Sequence, residues 1–268
     1  MAEHSRATSR GAAPHHQTNG PAASVRQPDT AGGASAREAA AATNAEPSEA
    51  GRDARAQDRP SVAVDVVILT VRNGRLEVLL NRRRRWPYDG VWALPGGFIT
   101  MDESLEDAAR RELDEAIGVR DVYLEQLYTF GDPGRDPRTR VVTVVYYALL
   151  RAEHLALGAS GQDEDIAWFA MYEPPELAFD HDEILRYTSQ RLRGKLEYTK
   201  IGYQLLGKEF TLSELQNVYE AILGRDLDKR NFRRKVLQTG ILVATPRTRR
   251  AGQHRPARLY RFNPEAEP

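Results

Sequence analysis

The chain has 268 residues, and 38 Lys and Arg balance 38 Asp and Glu, so its formal net charge is zero. That length allows one large domain or two moderate ones, each able to bury a core. No cysteine is present, which excludes disulfides, thiolate catalysis and Cys-ligated zinc. No apolar run reaches the roughly 18 residues of a membrane span, and the first residues lack the apolar stretch of a secretory signal. A cytoplasmic protein without membrane contact is the expectation.

Residues 1 to 59 read as a disordered tail. Met1 and Val25 are its only large apolar side chains, too few to offset the entropy of ordering. The run Ala39 to Ala45 has helical propensity but nothing to pack against. His15-His16 lack further ligands and read as solvated bystanders rather than a metal site.

From Ser61 the character changes. Val62 to Val71 is a β-branched run of strand length. Asn73-Gly74 is a hairpin turn signal, and Leu76 to Leu80 is the partner strand. The basic run Arg82-Arg83-Arg84-Arg85-Trp86 follows, read either as a solvated loop or as a cationic wall for an anion, with Arg82 as the candidate contact. Trp92 to Pro95 leads into Gly96-Gly97, where glycines permit a tight entry to a helix.

In that helix Leu105, Ala109, Leu113 and Ile117 recur at i, i+4 on one face. Glu112 and Glu115 lie on the neighbouring face, where two carboxylates can converge on a hard cation. Glu103 enters from the preceding loop, and Arg111 can pair with a carboxylate. Acids and a guanidinium around a turn and a helix suit metal-assisted phosphate chemistry.

Gly97, Glu103, Arg111-Glu112-Leu113, Glu115, Gly118 and Val119 resemble the Nudix box, G-x5-E-x7-R-E-U-x-E-E-x-G-U with U aliphatic. One fixed position departs: Ala116 stands where the pattern has the second Glu. In the family that Glu and Glu112 share a magnesium ion. The resemblance therefore implies magnesium weakly held by Glu112 and Glu115, and catalysis by the same pair placed in doubt.

Val122 to Phe130 and Val141 to Leu150 read as two further strands. The loop between them carries Arg135, Arg138 and Arg140 among Pro and Gly. Arg135 and Arg138, beside Phe130, read as a clamp for a pyrophosphate and its nucleoside; a decorated hairpin loop is the plain alternative. Nudix proteins that handle ADP-ribose-like ligands carry a loop similar to Gly134 to Arg138. Glu103 and Arg111 complete the candidate effector contacts. Past a polar loop, Gly158 to Asp165, Ile166 to Met171 reads as a strand and Glu183 to Leu196 as a helix. Strands covered by helices on both faces give an α/β/α sandwich over residues 60 to 197.

The rest, residues 198 to 268, differs. From residue 199 onward there are fourteen Lys or Arg against seven Asp or Glu, a net of +7, so residues 1 to 198 carry −7. Such segregation points to nucleic acid. Thr211-Leu212-Ser213-Glu214 is a capping-box signature. Leu212, Leu215, Val218, Tyr219 and Ile222 follow at helical spacing up to Gly224. Asp228 then caps a second helix, Lys229 to Thr239, with Phe232, Val236 and Leu237 expected inward. Lys229, Arg230, Asn231, Arg233 and Arg234 are expected to face double-stranded DNA, as in a helix-turn-helix. Ile241 to Ala244 and Leu259 to Phe262 read as paired strands flanking Arg247, Arg249, Arg250, Arg255 and Arg258, a basic wing.

An eroded Nudix box followed by Tyr198 to Tyr203, Phe210 to Gln216, Val218 to Gly224, Leu227 to Lys235 and Pro256 to Phe262 resembles the NrtR family, the Nudix-related transcriptional regulators of NAD metabolism. The likeness spans about Val62 to Phe262. It implies a homodimeric, nucleoid-associated repressor on a palindromic operator, released when the Nudix-like domain binds ADP-ribose. Relatives in the same family sense sugars instead. An active magnesium-dependent ADP-ribose pyrophosphatase is the alternative, alone or combined with regulation.

Overall fold

The β-branched run of Ser61–Arg72 (β1) is buried from Ala63 to Thr70 because it is the central strand and has neighbours on both faces. The computed structural model describes residues 59–153, 165–198, 201–250 and 256–263. The tail read as disordered, with His15-His16 and the Ala39 to Ala45 run, therefore lies outside the described residues up to position 58. So do residues 158–164 of the polar loop, and Arg255.

Asn73 and Gly74 both take positive φ, 52° and 72°, and turn β1 tightly into β2 (Arg75–Arg82), as Asn-Gly hairpins do. Two short strands that sequence periodicity does not reveal follow, β3 (Trp92–Ala93) and β4 (Gly96–Phe98). Then come α1 (Leu105–Ile117), β5 (Tyr123–Phe130), β6 (Val141–Leu150), β7 (Ile166–Ala170) and α2 (His181–Tyr198). The sheet runs β3-β2-β1-β6-β5, with β4 also on β1 and β7 on β2. β1 and β6 are parallel, from Ser61 opposite Val141 to Thr70 opposite Leu150.

Alternation along β1 separates two apolar layers. Val64, Val66 and Ile68 meet Ala108, Ala109 and Leu113 of α1. Val67 and Leu69 belong to the opposite layer, with Ile184, Leu192 and Leu196 of α2. The result is the expected α/β/α sandwich.

A 3-10 turn, Ile201–Leu205, opens the second part. β8 (Phe210–Thr211), α3 (Leu212–Leu223), α4 (Lys229–Gln238), β9 (Leu242–Arg249) and β10 (Ala257–Phe262) follow. Order β8-β10-β9 makes this a winged helix. β9 runs further than expected, through Pro246, because it is an edge strand, where proline costs no ladder hydrogen bond. The capping box forms as read: Thr211 Oγ1 accepts the Glu214 amide at 3.1 Å, and the Glu214 carboxylate accepts the Thr211 amide at 2.7 Å.

One inward assignment on α4 fails. Val236 is buried and Phe232 packs on the core, but Leu237 is 46% exposed, because it lies one residue, about 100° of helix, beyond the i, i+4 pair. The expected boundary at residues 197 and 198 is also crossed by packing. Val67, Leu192, Leu215, Ile222 and Val236 share one apolar cluster, and Gln57–Pro268 forms one compact unit. Among the described residues no helix is long and apolar enough to cross a membrane.

Candidate functional site

Ser104 caps α1, its side chain accepting the Asp107 amide, and Gly118 ends it in the left-handed region. The helix thereby presents Arg111 to the loop that enters it. Arg111 grips Glu103 through Nε at 3.1 Å and Nη2 at 3.0 Å, Glu112 at 2.6 Å, and the Phe98 carbonyl at 3.3 Å. Glu115 stands 3.6 Å away with its side chain 64% exposed. The Arg111 hydrogen bond, joined by one from the Thr100 amide, lowers the Glu103 pKa to about 2. Burial pushes Glu112 upward, against the pull of Arg111. Glu112 lies directly beneath Gly97, where a Cβ would collide with its Oε1.

Ala116 packs against the apolar layer beneath α1. Magnesium takes an octahedral shell of oxygens, one or two from carboxylates and the rest from water and phosphate, and here both box carboxylates are already drawn to Arg111. Among the described residues no group of three or more His, Cys, Asp or Glu side chains is placed to hold a metal. Glu112 and Glu115 are the carboxylates that would hold the ion, in competition with Arg111.

Beside the box lies a cavity of about 420 Å³. Arg82, Arg83, Arg135 and Arg138 line it with Asp65, Phe98, Phe179 and His181. Arg135 is its most buried cation: its side chain, 4% exposed, donates to Asp180 at 2.9 and 2.7 Å and lies 3.5 Å from Asp65. Burial opposes that charge, but these carboxylates raise its pKa overall. Arg138 is paired with Asp136 at 2.6 Å. Arg83 and Arg138 both lie over the Phe179 ring, at 4.7 and 5.8 Å. Burial, and then the nearby Arg138, lower the Arg83 pKa. A cavity with stacked guanidiniums and aromatic walls suits a phosphate ester carrying a flat or sugar moiety.

Arg82, Arg135 and Arg138, named from sequence, thus converge. Arg111 and Glu103 stand at the neighbouring box. Phe130 does not face the cavity: it is 8% exposed and packs on Tyr128 and Tyr187 on the α2 side. Arg83 belongs to the basic run read as a cationic wall but was not singled out from it, and sequence reasoning missed Asp65, Phe179 and His181. Arg82, the last residue of β2, is exposed, and Arg83, just past the strand, is half-buried. Asp65 had a signal, as the one charged residue in the run Val62 to Val71.

On the second part, α4 presents Lys229, Arg230, Asn231 and Arg234 as exposed side chains. Arg234 donates to Asn231 at 3.0 Å. Arg233 departs from expectation: it turns back and donates to Ser213 of α3 at 3.1 Å. On the wing Arg250 is exposed, whereas Arg247 pairs with Glu209 at 3.3 Å and Arg249 with Glu214 at 2.7 Å.

Residues 59–190 match the NUDIX domain model, and residues 202–262 match the NrtR DNA-binding winged helix domain model. The ADPR responsive transcriptional repressor NtrR of Acinetobacter baylyi is 40% identical over 209 residues, 76% of this chain and 82% of that protein. The crystal structure of Shewanella oneidensis NrtR complexed with a 27mer DNA superposes with a TM-score of 0.69 at 37% identity, covering 76% of this chain and 94% of that one. The ADP-ribose pyrophosphatase of Methanocaldococcus jannaschii is 33% identical over 127 residues, 47% of this chain and 72% of that enzyme.

Proposed function

We propose, since the chain belongs to the NrtR family, that it is a DNA-binding transcriptional repressor of NAD-metabolism genes that senses ADP-ribose. The observation that carries this reading is the shared apolar cluster, which joins a cationic, aromatic-walled cavity to a winged helix with an exposed basic helix. Ligand binding and DNA binding are then parts of one packed body. The effector enters beside the box, with its pyrophosphate near Arg83, Arg135 and Arg138. The operator is contacted by Lys229, Arg230, Asn231 and Arg234 of α4 and by Arg250 of the wing. Helix-turn-helix geometry favours a two-fold homodimer on a palindrome, with two recognition helices one turn of DNA apart.

Release requires ADP-ribose to bind the DNA-free state more tightly than the operator-bound state. Fluorescence anisotropy on a duplex from upstream of NAD-biosynthesis genes, at fixed salt, tests this. The expected result is tight binding reversed by ADP-ribose, with or without magnesium. Equal ADP-ribose affinity with and without saturating operator would rule the coupling out.

A second reading, a magnesium-dependent pyrophosphatase, is favoured by the intact Glu103-Arg111-Glu112 arrangement. Against it stands Ala116, where a third carboxylate would complete the ligand set. Hydrolysis is therefore expected to be absent or slow. Ala116→Glu is expected to raise magnesium-dependent AMP release from ADP-ribose by about tenfold or more, the scale of one restored metal-site contact. Fast AMP release by the unaltered chain would instead make it an enzyme.

A further inference from the structure

One helix, α2, touches both the cavity and the end of α3, the helix that precedes the DNA-facing α4. Asp180 opens α2: its carbonyl accepts the amides of Glu183 at 3.0 Å and Ile184 at 3.1 Å, and its carboxylate is held by Arg135. Phe179 and His181, on either side of it, line the cavity. Twelve residues beyond His181, roughly 18 Å along a helix, Arg193 lies over the ring of Tyr172 at 5.0 Å. The Tyr172 hydroxyl and Arg193 Nε, the latter at 3.4 Å, both donate to the carbonyl of Ile222 at the end of α3.

The C-terminal carbonyls of a helix lack intrahelical donors and carry the negative end of its dipole. α3 has no basic residue in its last turn, so α2 and Tyr172 supply the cation and the donors. Gly224 ends α3 with φ of 67°, and a Cβ there would stand 3.2 Å from Arg193 Nη2. Directly after it comes the turn that sets α4.

We propose that α2 carries effector binding to the recognition helix, with Arg193 and Tyr172 as the positioning residues at its far end. The inference rests on the ADP-ribose reading above. A polyanion in the cavity offers Arg135 a second acceptor and draws it from Asp180, which holds the first turn of α2. Packed elements move as units rather than stretching. Leu192 and Leu196 seat α2 in the same cluster as Leu215, Val218 and Ile222. A shift of α2 therefore moves the end of α3 and the turn into α4.

The test compares the full chain with Tyr172→Phe and with Arg193→Ala/Tyr172→Phe. ADP-ribose affinity is measured with and without saturating operator duplex. Amide exchange over residues 222–228 is followed on adding ADP-ribose without DNA. In the unaltered chain the two affinities are expected to differ by about tenfold or more, and in the double variant by less than about threefold. ADP-ribose affinity of the free double variant is expected within about twofold of the original, since the changes are remote from the cavity. The exchange response at 222–228 is expected in the unaltered chain and lost in the double variant. An undiminished affinity ratio in the double variant overturns the proposal. So does ADP-ribose-driven operator release without any exchange response at 222–228, a readout that does not depend on whether a variant binds DNA. Absence of coupling in the unaltered chain would sink the regulatory reading itself, and α2 transmission with it.

Discussion

Two residues of the cavity floor carry the sharpest consequences. Gly96 lies so close to β1 that a Cβ would collide with the Val64 carbonyl and the Asp65 backbone and carboxylate. Backbone cannot yield as a side chain does, so Gly96→Ala is expected to cost about 2–3 kcal/mol in urea unfolding. Gly97→Ala meets only the Glu112 carboxylate and side chain, a flexible end, and is expected to be milder. His181 is buried, with Nδ1 accepting the Leu94 amide at 2.9 Å and Nε2 facing Asp65 at 3.7 Å. Burial holds its pKa below the ordinary 6.5, against the pull of Asp65. The folded chain thus binds this proton less readily than the unfolded one. The stability it contributes is complete above 6.5 and is lost as pH falls towards its folded value. Unfolding free energy is expected to gain a slope of up to about 1.4 kcal/mol per pH unit below that point. Urea titrations on either side of it, with His181→Asn as the control lacking this slope, check the sign.

At the scale of elements, α3 depends on its ends. Thr211 is both the last residue of β8 and the cap of α3, so one side chain ties the wing sheet to the helix. Thr211→Ala removes the acceptor for the Glu214 amide and is expected to destabilise the chain by about 1 kcal/mol. The loss reads as a lower urea midpoint at unchanged slope. α4 has one buried side chain, Val236, and is held mainly by that contact, by Phe232 against Tyr219 at 5.2 Å, and by its cap. Its outer face is left to charge, which is what a helix entering a groove requires.

Over the whole molecule, net charge is zero, while residues 199 onward carry a net +7 against −7 before them. Operator affinity is therefore expected to fall with salt, and the side chains are not equivalent. Lys229→Ala and Arg230→Ala are each expected to lower the slope of log affinity against log salt by about 1. Arg233→Ala is expected to change it less, because its guanidinium is turned to Ser213. A slope change for Arg233 equal to that of Arg230 would show that it swings outward on DNA.

The local content of the chain was legible without its fold. The β-branched run of β1, the Asn-Gly turn, the spacing of the box and the capping box of α3 are each set by dihedral preference and side-chain period, which act over a few residues. The substitution at Ala116 was equally plain, since it is a matter of identity and not of place. What only tertiary structure decided is which distant groups meet. Two- and three-residue strands such as β3 and β4 have no period to read, yet they bring Gly96 and Gly97 against Asp65 and Glu112. Arg83, just past β2, meets the Phe179 ring, Phe130 faces away from the cavity towards α2, and Arg135 finds Asp180 across 45 residues. The contact of α2 with the end of α3 is of the same kind. It joins segments whose separation in sequence holds no trace of their proximity, because burial of a shared apolar cluster, and not local propensity, brings them together.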